Sequence, residues 1–539
     1  TAPCKTACPA HIAVQGYLKL ASQGKYTEAL GLIKKENPLP AICGRICNRK
    51  CEDACTRATV DEAVAIDEVK RFVSEQDLNE KTRYIPKKII PSTRGEFSQK
   101  IAIIGGGPAG LSCAYFLALS GYRPTIFEKN PYPGGMLRYG IPSYKLEKEV
   151  IDAEIEVIKE LGVEIKCNVE VGKDITIQQL REEGYLGFYL AIGCQGSRKA
   201  NIENEDAKNV LSAVDFLHKV TDDENTKVKG NSVVIGGGNV AIDVARTALR
   251  CGSKDVQMYC LESQSQMPAS KEEQDEATSE GVKINCGWGI KEIKVNNGKV
   301  CAVVLKQCVS VFDDNGKFAP TYDENNTTEV KCDNLFLSIG QSIDYKDLLK
   351  GENIEFGRGN APIADAITYQ TTQEDIFVGG DVYTGPSFAI DAIAAGKQGA
   401  ESLHRYVHEN ASLTIGRDAR YYVELDKDNI SIESYDNGSR QKPLNKHSVE
   451  LSFRDNSVSL TSEQVKKETA RCLNCGVSVV DTNKCIGCGI CTTKCEFDAI
   501  KLSRMNPDAS RMVRNEDKLK VILPNLIKRQ FKIMMNKKK

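Results

Sequence analysis

The chain has 539 residues, of which 41% are hydrophobic and 27% charged, and its formal net charge is −1. This composition indicates a globular protein long enough for three or more domains, and the near-zero charge argues against a dedicated nucleic-acid binder. No apolar run reaches the roughly 18 residues of a membrane span and no signal peptide is visible, so we expect no membrane span. The 21 cysteines then indicate a reducing cytoplasm, where thiols are kept for metal.

Residues 1–97 are predicted to form a helical domain that ends in a polar linker containing Pro86 and Pro91. Because the chain begins at Thr1 rather than at a methionine, we expect a processed N-terminus or a position inside a longer polypeptide. This domain carries six cysteines, which are Cys4, Cys8, Cys43, Cys47, Cys51 and Cys55. Clustered thiols in a reducing compartment favour metal ligation.

A strand, a glycine-rich loop, a helix and a second strand follow in the domain predicted over 98–229. Gly105 permits the tight turn, Gly107 lets a pyrophosphate approach the backbone, and Gly110 allows the helix to pack closely on the strand. The phosphates then lie at the positive end of the helix dipole, and Glu128, at the end of the second strand, can accept the ribose hydroxyls of an adenosine. The loop residues predicted to bind this dinucleotide are Gly105, Gly107, Pro108, Ala109 and Gly110.

The same pattern recurs in the domain predicted over 230–337. Its binding residues are predicted to be Gly236, Gly238, Asn239, Val240 and Ala241. Glu262 follows the second strand, where it would bond a free 2′-hydroxyl and repel a 2′-phosphate, and no arginine occupies 259–263. We therefore favour NAD(H) over NADP(H). Arg246 and Arg250 could help to bind a phosphate, but they are more simply interpreted as exposed helix residues.

Six more cysteines occur in the segment 471–503, and they are Cys472, Cys475, Cys485, Cys488, Cys491 and Cys495. The last four form the C-x2-C-x2-C-x3-C run that holds a [4Fe–4S] cluster. The alternative is a zinc knuckle, but four thiols at this spacing followed by Phe-Asp-Ala-Ile at 497–500 favour a cubane. The fourth ligand could be Cys495 or a cysteine from elsewhere. The protein is thus predicted to move single electrons.

Two remaining segments carry no recognisable chemistry. Residues 406–470 are predicted to be a linker of unknown role, with alternating stretches at 421–425 and 449–453 and a possible helix cap at Thr461 or Ser462. Residues 504–539 are basic and are predicted to be a solvated docking segment or a disordered tail.

Residues 1–405 resemble the small subunit of glutamate synthase and its relatives. These relatives include the FAD- and iron–sulfur-containing part of dihydropyrimidine dehydrogenase and the large subunit of the ferredoxin:NADP transhydrogenases. The matching segments are Cys4-x3-Cys8-Pro9, 43–47, 134–142, 236–246, 267–269 and 378–381. The resemblance implies FAD at the first site and a nicotinamide at the second, with the nicotinamide domain inserted into a FAD domain that resumes over 338–405.

The resemblance also implies roles for individual residues. In such flavoproteins Asp381 bonds the ribityl chain, and the helix from Ala389 lies by the flavin ring. The further residues assigned in this way to the FAD site are Gly135, Leu137, Arg138, Ile141 and Gly380. The members that use NADPH carry two arginines where this chain has Cys260-Leu261, which supports NAD(H) here.

Six N-terminal cysteines are fewer than the eight ligands of two cubanes. The glutamate synthase pattern begins with a further C-x2-C upstream of the position of Cys4, and the segment 470–476 resembles that missing piece. We hypothesise that Cys472 and Cys475 fold back to complete a cluster with Cys4 and Cys55.

A second N-terminal cluster would use Cys8, Cys47 and Cys51 with a fourth ligand from Cys43 or a carboxylate. Relatives place a Glu or Gln ligand where this chain has Lys70, which cannot coordinate, and Glu68 is the nearby substitute. With the C-terminal run, two to three [4Fe–4S] clusters are expected.

The predicted architecture is α/β, with two Rossmann-like dinucleotide-binding domains, an N-terminal helical iron–sulfur domain and a C-terminal ferredoxin-like segment. The cysteines at 167, 194 and 251 are scattered, so no redox-active pair near the flavin indicates a disulfide reductase. Electrons should leave through the clusters, and hydride transfer between nicotinamide and flavin requires no catalytic side chain, so we nominate none.

Three functions are compatible with these features. The leading one is an NAD(H)-dependent electron-transfer subunit that serves a partner redox subunit or ferredoxin, within a bifurcating complex by family analogy alone. The alternative is the small subunit of an NAD(P)H-dependent glutamate synthase. A third is a scaffolding subunit with structural clusters, which two intact nucleotide sites disfavour.

Overall fold

The structure is a computed structural model of the chain. It describes residues 2–90, 95–408, 410–417, 425–426, 437–443, 451–455, 457–476, 484–495, 500–503 and 513–536. Most of the predicted alternating stretches at 421–425 and 449–453, and residues 497–499 of the ferredoxin-like run, lie outside these ranges. The chain divides into two compact units, Thr1–Gly476 and Val477–Lys539.

The helices are α1 (Pro3–Thr6), α2 (Val14–Ser22), α3 (Tyr26–Lys34), α4 (Pro40–Ile46), α5 (Lys50–Asp53), α6 (Ile66–Asn79), α7 (Pro108–Leu119), α8 (Met136–Tyr139), α9 (Lys148–Glu160), α10 (Ile177–Glu182), α11 (Ala213–Asp222), α12 (Asn239–Arg250), α13 (Lys271–Ser279), α14 (Asp381–Thr384), α15 (Ala389–Tyr406), α16 (Ser462–Ala470), α17 (Ile490–Lys494) and α18 (Lys518–Asn536). The strands are β1 (Lys100–Ile104), β2 (Thr125–Glu128), β3 (Glu164–Cys167), β4 (Tyr185–Leu190), β5 (Gly196–Ser197), β6 (Val210–Ser212), β7 (Asn231–Ile235), β8 (Asp255–Cys260), β9 (Lys283–Cys286), β10 (Trp288–Asn296), β11 (Lys299–Phe312), β12 (Phe318–Lys331), β13 (Asn334–Leu337), β14 (Gln341–Ser342) and β15 (Ile376–Val378).

Helices α1–α6 form the N-terminal domain, and α16 packs on it although it lies far away in sequence. The buried residues of α2 recur at helical spacing, which gives the helix one apolar face. Helix α16 begins with a capping box, in which Thr461 Oγ1 accepts from the Gln464 N–H at 3.2 Å and Gln464 Oε1 accepts from the Thr461 N–H at 2.9 Å. The predicted cap is therefore present, and α16 contacts α2 and α6.

The first large sheet is parallel and has the strand order β15-β4-β1-β2-β3. Strands β1, β2 and β4 are buried along almost their whole length because helices such as α7 and α15 cover the sheet. Strand β15 comes from the chain after the second sheet, so the second domain is inserted into the first. The insertion predicted from the sequence is therefore observed.

The second large sheet is also parallel, with the order β6-β13-β7-β8-β9. The antiparallel strands β10, β11 and β12 form a separate three-stranded sheet that contacts it. Strand β12 was not predicted, because its sequence is polar and its side chains are mostly exposed. Two parallel Rossmann-like sheets confirm the predicted α/β class.

In the second unit, residues 518–536 form the helix α18, so the predicted solvated or disordered tail is helical there. It exposes an apolar stripe at helical spacing, formed by Leu519, Ile522, Leu523, Leu526, Ile527, Ile533 and Met534. None of the helices in the described ranges is long and apolar enough to cross a membrane.

Candidate functional site

The first glycine loop connects β1 to α7 and needs its glycines for steric reasons. Gly105 has φ 107°, and a Cβ there would lie 2.4 Å from the carbonyl oxygen of Ala191. A Cβ on Gly110 would lie 2.0 Å from the carbonyl oxygen of Gly105. The first contact closes the turn against the neighbouring strand, and the second brings α7 close to β1, as the predicted dinucleotide loop requires.

Glu128 ends β2 beside this loop and is 3% exposed. Its Oε2 accepts from the Gly106 N–H at 2.8 Å and its Oε1 from the Asn130 N–H at 2.9 Å. Burial raises the pKa of Glu128, and these two backbone donors oppose that rise. The carboxylate is thus fixed at the position from which it can accept ribose hydroxyls.

The second glycine loop connects β7 to α12 in the same way. Gly236 has φ 144°, and a Cβ there would lie 2.4 Å from the carbonyl oxygen of Ser338. No atom lies within 4 Å of where a Cβ on Gly238 would be, so this residue faces open space. Glu262 Oε2 is buried without a hydrogen-bond partner and lies 2.7 Å from the Cβ position of Gly237. An orphaned carboxylate oxygen above a phosphate-type loop fits the hydroxyl donors of a ribose.

Arg246 and Arg250, which the sequence suggested to be exposed, are in fact largely buried. Their side chains are only 7% and 6% exposed, and both bind Glu280, Arg246 Nη2 at 2.7 Å and Arg250 Nη1 at 2.6 Å. Both guanidinium groups also lie over the ring of Tyr144, at 4.8 and 3.8 Å from its centroid. Burial acts to raise the pKa of Glu280, but the hydrogen bonds from Arg250 and Arg246 outweigh it and bring that pKa to about 2. These arginines are committed to Glu280 rather than directed toward a coenzyme phosphate.

One cavity of about 820 Å³ connects the two loops. The predicted site residues that line it are Gly105, Gly107, Pro108, Ala109, Glu128, Gly135, Leu137, Ile141, Gly238, Asn239, Val240, Gly380, Asp381 and Ala389. Arg45 and Ile46 of α4, within the cysteine-rich segment, also line it. The cavity therefore joins both nucleotide loops to the N-terminal domain, and its size suits organic cofactors.

Five predicted residues do not line the cavity. Gly110 and Gly236 face the protein backbone, Ala241 is fully buried, and Glu262 lies above the second loop. Arg138 is turned away, since its guanidinium pairs with Asp152 and its Nε donates to the carbonyl of Pro133 at 3.0 Å.

Asp381 begins α14 at the wall of the cavity. Its Oδ1 accepts from the Ser387 N–H at 3.1 Å, and its backbone oxygen accepts from the Cys194 thiol at 3.1 Å. Burial raises the pKa of Asp381 from its usual 3.8 to about 6, and the charge of Asp391 adds to that rise. A half-buried carboxylate on a cavity wall suits hydrogen-bond donors of a bound ligand, such as ribityl hydroxyls.

Sequence reasoning missed Lys145, which lines the same cavity from the segment after α8. Its Nζ lies 2.5 Å from Asp243 Oδ1, and it also pairs with Glu273. Lys145 thus links the first dinucleotide domain to α12 and α13 of the second. No sequence pattern marks such a residue, because its partners come from a different domain.

A smaller cavity, of about 20 Å³, lies in the N-terminal domain and is lined by Cys4, Cys55, Cys472 and Cys475. Burial raises the pKa of Cys4 to about 12, and the charges of the other three cysteines contribute to that rise. Cys4, with three other thiols around it, is stable as a thiolate only when cations offset the negative charge. The arrangement fits a cluster held by the four sulfurs that the fold-back hypothesis names.

Buried polar contacts hold the residues before Cys472 in place. Arg471 is 1% exposed, and its guanidinium reaches Asp61 at 3.0 Å and Glu468 at 2.7 Å. Glu468 Oε1 also accepts from the Ala65 N–H at 2.8 Å. The predicted segment 471–503 therefore divides, because Cys472 and its neighbours belong to the first compact unit.

The second thiol group surrounds the buried ammonium of Lys70. Burial raises the pKa of three thiols and the positive charge of Lys70 opposes that rise; these thiols are the buried Cys43 and Cys51 and the half-buried Cys47. Cys8 is buried and interacts with Cys47. Lys70 pairs with Asp67, whereas Glu68, the carboxylate favoured from the sequence, pairs with Arg49 at 3.5 Å. Asp67 is therefore the carboxylate beside these thiols.

Cys485, Cys488 and Cys491 lie on an exposed turn of the second unit, and Cys495 is half-buried. Gly487 and Gly489 have φ 68° and 79°, and the Cys495 N–H donates to the carbonyl of Cys491 at 3.1 Å. The left-handed glycines let the chain curl so that three thiols share one turn. Within the described ranges, no three His, Cys, Asp or Glu side chains converge on a single-ion site.

Comparison with protein families agrees with this organisation. The model for pyridine nucleotide-disulphide oxidoreductases matches residues 99–396. The model for dihydropyrimidine dehydrogenase domain II, 4Fe-4S cluster, matches residues 1–82, and that for 4Fe-4S binding domains matches residues 478–501. The resemblance inferred from the sequence is thereby confirmed.

Three relatives are similar to this chain over most of its length. It is 35% identical over 435 residues to the NADP(+)-dependent formate dehydrogenase subunit beta of Moorella thermoacetica. This alignment covers 76% of this chain and 61% of the length of that relative. It is 32% identical over 424 residues to the glutamate synthase (NADPH) small chain of Escherichia coli, with 75% and 88% covered. It is 32% identical over 414 residues to the NAD-dependent dihydropyrimidine dehydrogenase subunit PreT homolog of Salmonella typhi, with 76% and 92% covered.

Proposed function

The chain belongs to the pyridine nucleotide-disulphide oxidoreductase family, and from this premise we propose that it transfers electrons between NAD(H), FAD and [4Fe–4S] clusters. At the coarser level it is an FAD- and iron–sulfur-containing oxidoreductase subunit with homologues of that kind. We propose, in addition, its specific coenzyme, the number of its clusters and the kind of partner that it serves.

The observation that carries the proposal is the cavity of about 820 Å³ that both glycine loops share. A nicotinamide held by the second loop and a flavin held by the first could meet inside it. Arg45 and Ile46 extend the cavity wall to α4, whose C-terminal neighbour is Cys47. One-electron carriers at these thiols would therefore lie next to the flavin site.

The protein's own groups position the cofactors rather than perform chemistry. Gly105, Gly107 and the N-terminus of α7 would hold the FAD pyrophosphate, Glu128 its ribose and Asp381 its ribityl chain. When bound, FAD supplies the conversion between two-electron and one-electron transfer. Lys145 links the two nucleotide-binding domains through its ion pairs with Asp243 and Glu273.

We propose NAD(H) as the coenzyme because of the charges around the second loop. The unpartnered oxygen of Glu262 suits a ribose hydroxyl and would repel a 2′-phosphate. Arg246 and Arg250 are held by Glu280. The relatives are divided on this point, since their names include both NADPH- and NAD-dependent proteins.

We propose three clusters and a partner redox subunit. The first would use the four thiols around the small cavity, the second the thiols beside Lys70, and the third the C-terminal run. The exposed turn at Cys485–Cys491 and the apolar stripe of α18 suit docking to a partner, with ferredoxin as a further candidate. Several relatives are named as subunits, which agrees with such a partner.

A bifurcating complex would follow from the family resemblance alone, and a cytoplasmic location from the need for reduced thiols.

Anaerobic stopped-flow spectroscopy tests the proposal. NADH should bleach the flavin absorbance much faster than NADPH at equal concentration, and the reduced protein should then pass electrons to a one-electron acceptor dye. Iron and acid-labile sulfide should approach about twelve of each per chain for three cubanes. A strong preference for NADPH would overturn the coenzyme assignment, and the absence of flavin and sulfide would overturn the whole proposal.

The second candidate is the small subunit of a glutamate synthase, favoured by the match that covers 88% of the Escherichia coli small chain. It predicts a stably bound large subunit and glutamine-dependent oxidation of the reduced coenzyme in the purified complex. Purification of the native complex and identification of its subunits distinguish a glutamate synthase from an electron-transfer complex with another redox partner.

A further inference from the structure

Two thiols that are not among the proposed cluster ligands meet at the carboxyl edge of the second sheet. Cys260 ends β8 and Cys286 ends β9, and the two are register partners in the parallel ladder. Their Sγ atoms lie 3.7 Å apart. Adjacent strands run about 4.8 Å apart, within the roughly 4.4–6.8 Å Cα separation of disulfides, so side-chain rotation can join the sulfurs.

This thiol pair is connected to the residue that we assign to the coenzyme ribose. The Cys260 thiol donates to the backbone carbonyl of Glu262 at 3.7 Å, and the Gly287 N–H donates to the same carbonyl at 3.1 Å. The Cys260 Cβ also lies 3.1 Å from the Cβ position of Gly237 in the second loop. The reduced thiol therefore helps to fix the backbone of Glu262, and its side chain lies beside the loop beneath the Glu262 carboxylate.

The two thiols differ in accessibility. Cys260 is 2% exposed, whereas Cys286 is half-buried and has the sulfur of Met267 at 3.8 Å. Burial raises the pKa of Cys260, and the adjacent Cys286 raises it further, so Cys260 keeps the proton that it donates to Glu262. An external reagent would reach Cys286 first, and Cys260 would then act as the resolving thiol.

We propose that Cys260 and Cys286 form a reversible disulfide that weakens coenzyme binding at Glu262. A low-molecular-weight disulfide such as oxidised glutathione is the oxidant. The Cys286 thiolate attacks it and releases one glutathione thiol, and Cys260 then attacks the Cys286 sulfur and releases the second. Two protein thiols are oxidised, one glutathione disulfide is reduced, and two protons pass from the protein thiols to the released glutathione thiolates.

Oxidation would remove the S–H donor to the Glu262 carbonyl and rotate the Cys260 side chain toward Cys286. Both changes displace the carboxylate from the loop. By linkage, the coenzyme must oppose the disulfide by the same factor by which the disulfide opposes the coenzyme. This inference rests on the proposed coenzyme site and adds its regulation.

The test uses the complete protein, equilibrated anaerobically in glutathione buffers of graded redox poise. Alkylation followed by peptide mass spectrometry measures the Cys260–Cys286 linkage, and equilibrium dialysis measures the dissociation constant of NAD⁺. The variants are Cys286→Ser, Cys260→Ser and, as a matched control, Cys301→Ser, which replaces an exposed cysteine of the same domain.

We expect the linked peptide at oxidising poise in the wild type and in Cys301→Ser, together with an increase in the NAD⁺ dissociation constant on the order of tenfold that dithiothreitol reverses. Neither serine variant at the pair should respond to poise. Saturating NAD⁺ should raise, by the same factor, the ratio of oxidised to reduced glutathione at which half of the protein carries the disulfide.

Absence of the linked peptide, or NAD⁺ binding indifferent to it, overturns the inference while leaving the proposed function intact. If the fully reduced protein does not bind NAD⁺ at all, the proposed coenzyme is wrong as well, and the two failures are thus distinguished.

Discussion

Arg57 Nη1 donates to the backbone carbonyl of Arg471 at 2.9 Å, although the two residues lie at opposite ends of the first unit's sequence. Both guanidinium groups are buried, and both reach Asp61. Arg57 follows Cys55 by two positions and Arg471 directly precedes Cys472. This contact therefore brings the thiols of two distant segments to the same cavity.

Arg471→Met should remove the anchor of the fold-back. Glu468 is fully buried and would lose its ion pair, at a cost of roughly 3–5 kcal/mol, so the segment should detach. We expect a loss of about four iron atoms per chain, measured by iron and acid-labile sulfide assays. Arg454→Met is the control, because the side chain of Arg454 is 64% exposed. Unchanged iron in Arg471→Met would contradict the anchoring role.

Replacing Cys472 and Cys475 together by serine should also remove about four iron atoms per chain, because two of four ligands are lost. The matched variant replaces Cys485 and Cys488, which should cost the C-terminal cluster instead. Because the two pairs would serve different clusters, combining them should cost about eight iron atoms. Full iron content in the first double variant would end the fold-back hypothesis.

The proposed cluster beside Lys70 needs a fourth ligand, which Cys43 or a carboxylate would supply. We expect Cys43→Ser to lower the iron content by about four atoms, because Cys43 is buried beside Cys47. The double variant Asp67→Asn/Lys70→Met, which removes the buried ion pair as a whole, should retain the iron, since Asp67 serves as the counter-ion of Lys70 and not as a ligand. Glu68→Gln is the control, as Glu68 pairs with Arg49. Iron lost from Asp67→Asn/Lys70→Met but retained in Cys43→Ser would assign the carboxylate instead.

Local patterns explain which parts were predictable. The glycine loops at 105–110 and 236–241 combine strand, turn and helix within a few residues, so sequence alone predicts their fold and purpose. The proximity of Cys4 to Cys472 was also predicted. That prediction was possible only because the C-x2-C that precedes Cys4 in the related family is missing from the N-terminal domain here and present at 472–475. The resemblance, and not any periodicity, supplied that step.

Features that depend on contacts between distant segments were not predictable. Arg246 and Arg250 look like exposed helix residues until Glu280 and the Tyr144 ring come from elsewhere to cover them. Asp67 and Glu68 are adjacent in sequence and both lie near Arg49, so only the ion pair of Asp67 with Lys70 shows which one faces the thiols. In each case tertiary packing overrides a reasonable local interpretation.

Glu262→Gln should reduce discrimination between the two coenzymes. Loss of a charged acceptor for the ribose hydroxyl costs roughly 1.5–3 kcal/mol, so kcat/KM for NADH should fall about 10- to 100-fold. The value for NADPH should rise or stay constant, because the repulsion of a 2′-phosphate is removed. Glu324→Gln, an exposed carboxylate of the inserted domain, is the control. An equal fall for both coenzymes would indicate a purely structural role for Glu262.

The affinity for FAD should depend on pH through Asp381. The pKa of Asp381 is about 6 in the protein without flavin, and a ribityl hydroxyl that donates to the carboxylate would lower it in the complex. FAD binding therefore favours the ionised form, so affinity should be constant above pH ~7 and fall by up to about tenfold per unit below pH ~6. Flavin fluorescence during rebinding to the FAD-depleted protein between pH ~5 and ~7.5 measures this dependence. Asp381→Asn should bind FAD more weakly but with no such slope, and the same slope in that variant would assign the titration to another group.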